Sequence, residues 1–184
     1  MEAGPLEVDC EEWFETEEAV SCQKEFIPLP HLVPEDLLVP HVKYTVSVRE
    51  DLMDIEFASH GDSLKEAFEQ GAVAMYAYLY EPGQIEIKGY CVVEAEGRDL
   101  ADLFYRFIDE LQFALVGEPH LLVRKVEIVE FDEATFLLRA KCFGERFDAT
   151  RHTSECRLET ILKENVHIER SPEGHFEVRY TIDS

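Results

Sequence analysis

Asp183 and Ser184 end the chain behind an alternating run, Phe176, Val178, Tyr180 and Ile182, that reads as a buried strand. The aspartate carboxylate therefore stands beside the terminal carboxylate. Adjacent carboxylates repel unless a cation lies between them, so such a strand end is a candidate site for a hard, oxygen-preferring metal. Asp54 is a further candidate ligand. It stands at the start of another strand in Glu50-Asp51-Leu52-Met53-Asp54, where acids are dense. If that strand neighbours the C-terminal one, Asp54, Asp183 and the Ser184 carboxylate form an oxygen cage of the kind calcium takes. A second polar group gathers Glu145, Asp148, Arg151 and His152, which reads as a solvated loop in preference to a catalytic centre.

The elements that must position these groups follow from periodicity. Alternation through Val42, Tyr44, Val46 and Val48 predicts a strand, and Ile55 to Ser59 a second. Ser63-Leu64-Lys65-Glu66 is a capping box, and Leu64, Ala67, Phe68, Gly71, Ala72 and Met75 share one helical face. Strand residues resume from Ile85 to Glu94. After Asp99 a second helix carries Leu100, Leu103, Phe104, Phe107, Ile108 and Leu111 on its stripe and ends near Gly117-Glu118-Pro119. Beyond Leu121 the pattern is β only: a strand to Phe131, a turn at Asp132-Glu133-Ala134, a strand to Phe143, another from Cys156 to Lys163, and a hairpin across Ser171-Pro172-Glu173-Gly174. The expected fold is an α+β sandwich, with two helices packed on one face of a mostly antiparallel or mixed β-sheet.

Composition narrows the function classes. The chain has 184 residues, 46% of them apolar, room for one sizeable core. Forty acidic residues against 17 basic ones leave a formal charge of -23. That charge opposes direct contact with a phosphate backbone, so any link to nucleic acid is expected to run through a partner. The five scattered cysteines, without a C-x-x-C pair, read as reduced intracellular thiols. No stretch has the apolar length of a membrane span and no secretory signal is visible, so the expected location is cytoplasm or nucleus. Residues 1–40 hold 11 acids, one base (Lys24) and five of the eight prolines. They are expected to form an acidic, disordered segment outside the domain at 41–184, and a candidate for binding an additional protein.

From about His41 to Ser184 the chain resembles the archease family. The resemblance is most specific at Gly61-Asp62-Ser63-Leu64-Lys65-Glu66-Ala67-Phe68, similar to that family's G-x-T-L-E-E-A-F. It continues in order through Gly97-Arg98-Asp99-Leu100 with the Phe107 to Leu111 helix, Gly144-Glu145 with Asp148 and Arg151-His152, and Ile182-Asp183. The resemblance implies a non-enzymatic accessory protein that helps the GTP-dependent RtcB-type RNA ligase of tRNA splicing to be guanylylated and to turn over repeatedly. It also implies a divalent ion, commonly calcium, held by Asp54, Asp183 and Ser184.

Departures from the family pattern are concentrated at the same place. The family's D-H-T-A-D stands here as Glu50-Asp51-Leu52-Met53-Asp54, without the imidazole or the threonine hydroxyl. The K-A-V-T-Y strand becomes Arg157-Leu158-Glu159-Thr160-Ile161, and arginine does not replace a compact ammonium neutrally. Glu50, Asp51, Glu145, His152 and Arg157 are accordingly expected to face or support the partner. A diverged adaptor that has lost ligase activation is the alternative, and a metal-dependent hydrolase using Asp54 and Asp183 is disfavoured because no general base can be named.

Overall fold

A computed structural model describes residues 24–30, 39–154 and 165–183. Its elements are β1 (Ile27–Pro28), β2 (Tyr44–Arg49), β3 (Asp54–Gly61), α1 (Leu64–Leu79), β4 (Gly89–Glu96), α2 (Leu100–Val116), β5 (Leu121–Asp132), β6 (Leu137–Arg146), β7 (His167–Arg170) and β8 (Phe176–Asp183). The α+β class and both helices are as the periodicity predicts. Among the described residues the strands divide into two four-stranded sheets, ordered β1-β4-β6-β5 and β2-β3-β8-β7, with every neighbouring pair antiparallel. None of the helices in the described residues is long and apolar enough to cross a membrane.

Both helices begin where their caps dictate. The Glu66 N–H donates to Ser63 Oγ at 3.1 Å, while the Glu66 carboxylate reaches back to the Asp62 N–H at 2.8 Å. Asp99 accepts from the Asp102 N–H at 2.7 Å. Each satisfies amides that the first helical turn leaves without partners.

Helix α1 packs against β3 and β8 of one sheet and β5 of the other, so it couples the two. Phe57 and Tyr180 stack at 4.8 Å between ring centroids, and Phe104 leans on Tyr180 at 5.0 Å. All three rings are fully buried, each worth about 1.5–3 kcal/mol of transfer free energy. The Tyr180 hydroxyl donates to the Gly71 carbonyl at 2.6 Å, pinning β8 to the helix. Gly71 costs roughly 1 kcal/mol against alanine inside a helix. The closeness explains it: a Cβ there would meet Phe104 and Ser59 Oγ at 3.0 Å.

The boundary expected at residue 40 does not hold for 24–30. Ile27 and Pro28 pair with Tyr90 and Gly89, Phe26 packs against the core, and Lys24 reaches Glu110 at 2.6 Å. Apolar residues inside an acidic stretch found a free edge of β4 to extend. The remaining acidic stretch, 1–23 and 31–38, and the strand expected from Cys156 to Lys163 lie outside the described residues.

Candidate functional site

Strand β3 has β2 on one side and β8 on the other, and the register sets Arg49, Asp54 and Asp183 in a single row: Arg49 opposite Asp54, and Asp54 opposite Asp183. Ile55, Phe57, Tyr180 and Ile182 are fully buried in the core. By strand alternation the row therefore lies on the other face of the sheet, away from that core. The strand neighbourhood on which the expected cage depends is present, since β3 pairs with β8 and sets Asp54 opposite Asp183. Ser184 lies outside the described residues.

The cation in the row comes from the protein. Arg49 Nε and Nη2 donate to the two Asp54 oxygens at 2.6 Å each, a bidentate fork, and Nη1 stands 3.5 Å from Glu56 in the next row. Planar guanidinium and planar carboxylate match in this geometry, making the pair strong and directional. Hydrogen bonding to Asp54 raises the Arg49 pKa further, aided by the charges of Asp54, Glu56 and Asp51. Asp54 is only 6% exposed, so its negative charge would be costly without that partner.

A hard divalent ion takes several oxygens at roughly 2.3–2.6 Å. Here both Asp54 oxygens are already engaged by Arg49. Among the described residues no three His, Cys, Asp or Glu side chains come together to hold a metal. The described donor set therefore does not fit a divalent ion while Arg49 keeps its place. One oxygen of the adjoining row has no hydrogen-bond partner among the described residues: the hydroxyl of Thr181, opposite Glu56 on the same face and 4% exposed.

Glu50 to Met53 form the turn joining β2 to β3. Leu52 N–H closes it on the Arg49 carbonyl at 3.2 Å, and Met53 adopts φ 54°, a left-handed backbone that a side chain tolerates with strain. Glu50 and Asp51 are exposed, as a partner-facing role requires. Leu52 and Met53 are exposed too, at 59% and 71%, with Val48 beside them at 59%. This apolar tip among acids was not legible from the motif alone.

The second cluster is not the solvated loop expected of it. Glu145 and His152 are each 2% exposed. His152 Nε2 lies 2.6 Å from Glu145 Oε1 and 3.1 Å from the Gln84 carbonyl, while Nδ1 accepts the Asp148 N–H at 2.9 Å. An acceptor at Nδ1 puts the ring proton on Nε2, where it is donated to Glu145. Arg151 reaches the other Glu145 oxygen at 2.5 Å, Lys88 stands 3.2 Å away, and the Glu86 N–H donates at 3.2 Å. Burial pushes the Glu145 carboxyl up, but the Glu86 amide, Arg151, His152 and Lys88 outweigh it and hold its pKa below the usual carboxylate range.

Gly144, next to Glu145 on β6, lies hard against the backbone of β5. A Cβ at that position would lie 1.7 Å from the Leu122 carbonyl, so only glycine lets β5 approach this closely. The cluster joins β6, the Gln84 turn and the Asp148 turn, and it belongs to the framework. Arg157 lies outside the described residues. Arg49, Lys88 and Gln84 were missed from sequence. Arg49 had a readable signal, because a four-residue turn at 50–53 places 49 opposite 54.

Comparison with known proteins gives one consistent answer. The model of the Archease protein family (MTH1598/TM1083) matches residues 47–183. The chain is 35% identical to a protein archease-like of Drosophila melanogaster, over 81% of this chain and 95% of that one. It is 33% identical to a protein archease of Pyrococcus abyssi, over 73% and 94%. The solution structure of Methanobacterium thermoautotrophicum protein 1598 superposes with a TM-score of 0.61 at 20% identity, covering 77% of this chain and 99% of that one, a likeness of fold alone.

Proposed function

The chain belongs to the archease family, and from that membership we propose that it is an accessory protein of the GTP-dependent RtcB-type RNA ligase of tRNA splicing. In this reading it promotes guanylylation of the ligase and repeated turnover. The bond-making groups belong to the ligase, and this chain contributes binding and orientation.

The observation that carries the reading is the hairpin end. Val48, Leu52 and Met53 are exposed beside Glu50, Asp51 and the Asp54–Asp183 row. An apolar tip within an acidic rim suits a partner cleft with apolar walls and cationic edges, and in this reading that cleft belongs to the ligase. The charge of -23 favours the protein side of such an assembly over its RNA. Beneath the surface, the buried Glu145–His152 network holds the opposite sheet in place and supports the surface without touching a partner.

The test is a binding assay on a purified RtcB-type ligase, with its guanylylation rate measured with and without this chain. Binding together with a faster guanylylation is expected. Absence of both ends the reading.

A second reading, a diverged adaptor without ligase activation, is favoured by the tip itself, where Glu50, Asp51 and Leu52 stand in place of the family's Asp, His and Thr. Combining Glu50→Asp, Asp51→His and Leu52→Thr separates the two. Activation gained by the triple variant, and absent from the natural chain, assigns the adaptor role.

A further inference from the structure

We propose that Arg49 is the resident cation of the strand-end carboxylate Asp54, and that a hard divalent cation such as calcium is admitted to the row only when this guanidinium is removed. Three independent features support it. The register sets Arg49, Asp54 and Asp183 in one row across three strands, so the guanidinium and both carboxylates share a face by backbone pairing and not by the chance of a long side chain. The fork engages both Asp54 oxygens at 2.6 Å, which are the oxygens an ion would need. Thr181 then keeps a buried hydroxyl on the same face that has no partner among the described residues. Without Arg49, that face offers the Asp54 carboxylate, the Asp183 carboxylate and the Thr181 hydroxyl, an all-oxygen set suited to a hard cation.

An arginine differs from an ion in ways that matter for a docking surface. It is covalently tethered, cannot be chelated away and leaves the face charged in the same way at any calcium concentration. The hairpin end would then keep one geometry where a metal-dependent site would alternate between two.

The inference is tested on the isolated chain, so its failure leaves the ligase reading standing and the reverse also holds. Thermal unfolding and calorimetric titration with calcium chloride would be run on the natural chain, Arg49→Gln, and Arg49→Gln combined with Asp54→Asn. The natural chain is expected to show no binding heat and no shift of its midpoint up to about 1 mM calcium, the weak end of protein calcium sites. Arg49→Gln is expected to unfold at a lower temperature in chelator, to regain the loss in calcium, and to bind with a heat that the added Asp54→Asn abolishes. Calcium binding by the natural chain in that range, or none by Arg49→Gln, overturns the proposal. A second measurement needs no substitution at Arg49: the nitrogen-15 resonance of its Nε–H group in the natural chain should be unmoved by calcium. A shift or loss of that signal also overturns it.

Discussion

Asp54 and Glu145 are both buried carboxylates in contact with an arginine, and they are held differently. Asp54 sits at a strand end outside the core and is held by one side chain, Arg49, itself about a third exposed. Glu145 sits inside the framework and is held by a backbone amide, an arginine, a lysine and a histidine whose tautomer is set by a further backbone amide. Removing one partner exposes Asp54 to exchange, whereas no single removal frees Glu145. The first arrangement can be rewritten by one substitution and suits a surface that meets a partner. The second locks two turns to a strand.

The largest expected difference is in stability. Glu145→Ala leaves the buried His152 N–H and the neighbouring charges without their shared acceptor, at a cost of about 3 kcal/mol. Arg49→Gln takes the fork from a carboxylate that is only 6% exposed, but it strands one group and removes a guanidinium already about a third open to water, so the cost should be smaller, about 2 kcal/mol in the absence of calcium. Urea unfolding of both variants checks the order. Equal losses would erase the distinction between a locked network and a single fork.

A smaller effect should appear on the acid limb. The folded Glu145 pKa is depressed below its ordinary value of 4.5, so the unfolded chain takes up the proton first as pH falls. The stability that Glu145 contributes is therefore complete above about pH 4.5 and is lost as pH falls through the lower folded value. Urea midpoints measured from pH 6 to 3 on the natural chain and Glu145→Gln should converge as that loss proceeds. A constant gap between them would mean the network does not depend on the charge.

The smallest change in stability is expected from the tip. Glu50→Asp, Asp51→His and Leu52→Thr together alter exposed positions and should shift stability by less than about 0.5 kcal/mol, while under the proposed function they change binding to the ligase. A loss well beyond that would show that the turn is part of the framework after all.

Much of the fold was readable along the chain. The capping box at Ser63 to Glu66, the α2 stripe and the hairpin at 171–174 are local, carried by residues within a turn or two of one another. The pairing of Asp54 with Asp183 was readable only as a conditional, since it required two strands distant in sequence to be neighbours. His152 was misread because its burial depends on the Gln84 turn, 68 residues earlier, closing over it. Phe26 and Ile27 were misread for a similar reason: acidic composition describes the stretch, but a free strand edge elsewhere decides whether seven residues dock.

The chain by itself determined which segments are helical or extended, the family, and the presence of acids at both strand ends, because hydrophobic period, capping and motif order act over short separations. The tertiary structure alone decided that Arg49 completes the row at Asp54, that the Thr181 hydroxyl of the adjoining row finds no partner among the described residues, and that Glu145 is enclosed while Glu50 and Asp51 remain outside. Charge pairing and burial depend on distance through space, and strand register, which brings residues 49, 54 and 183 together, is set by the packing of the whole sheet.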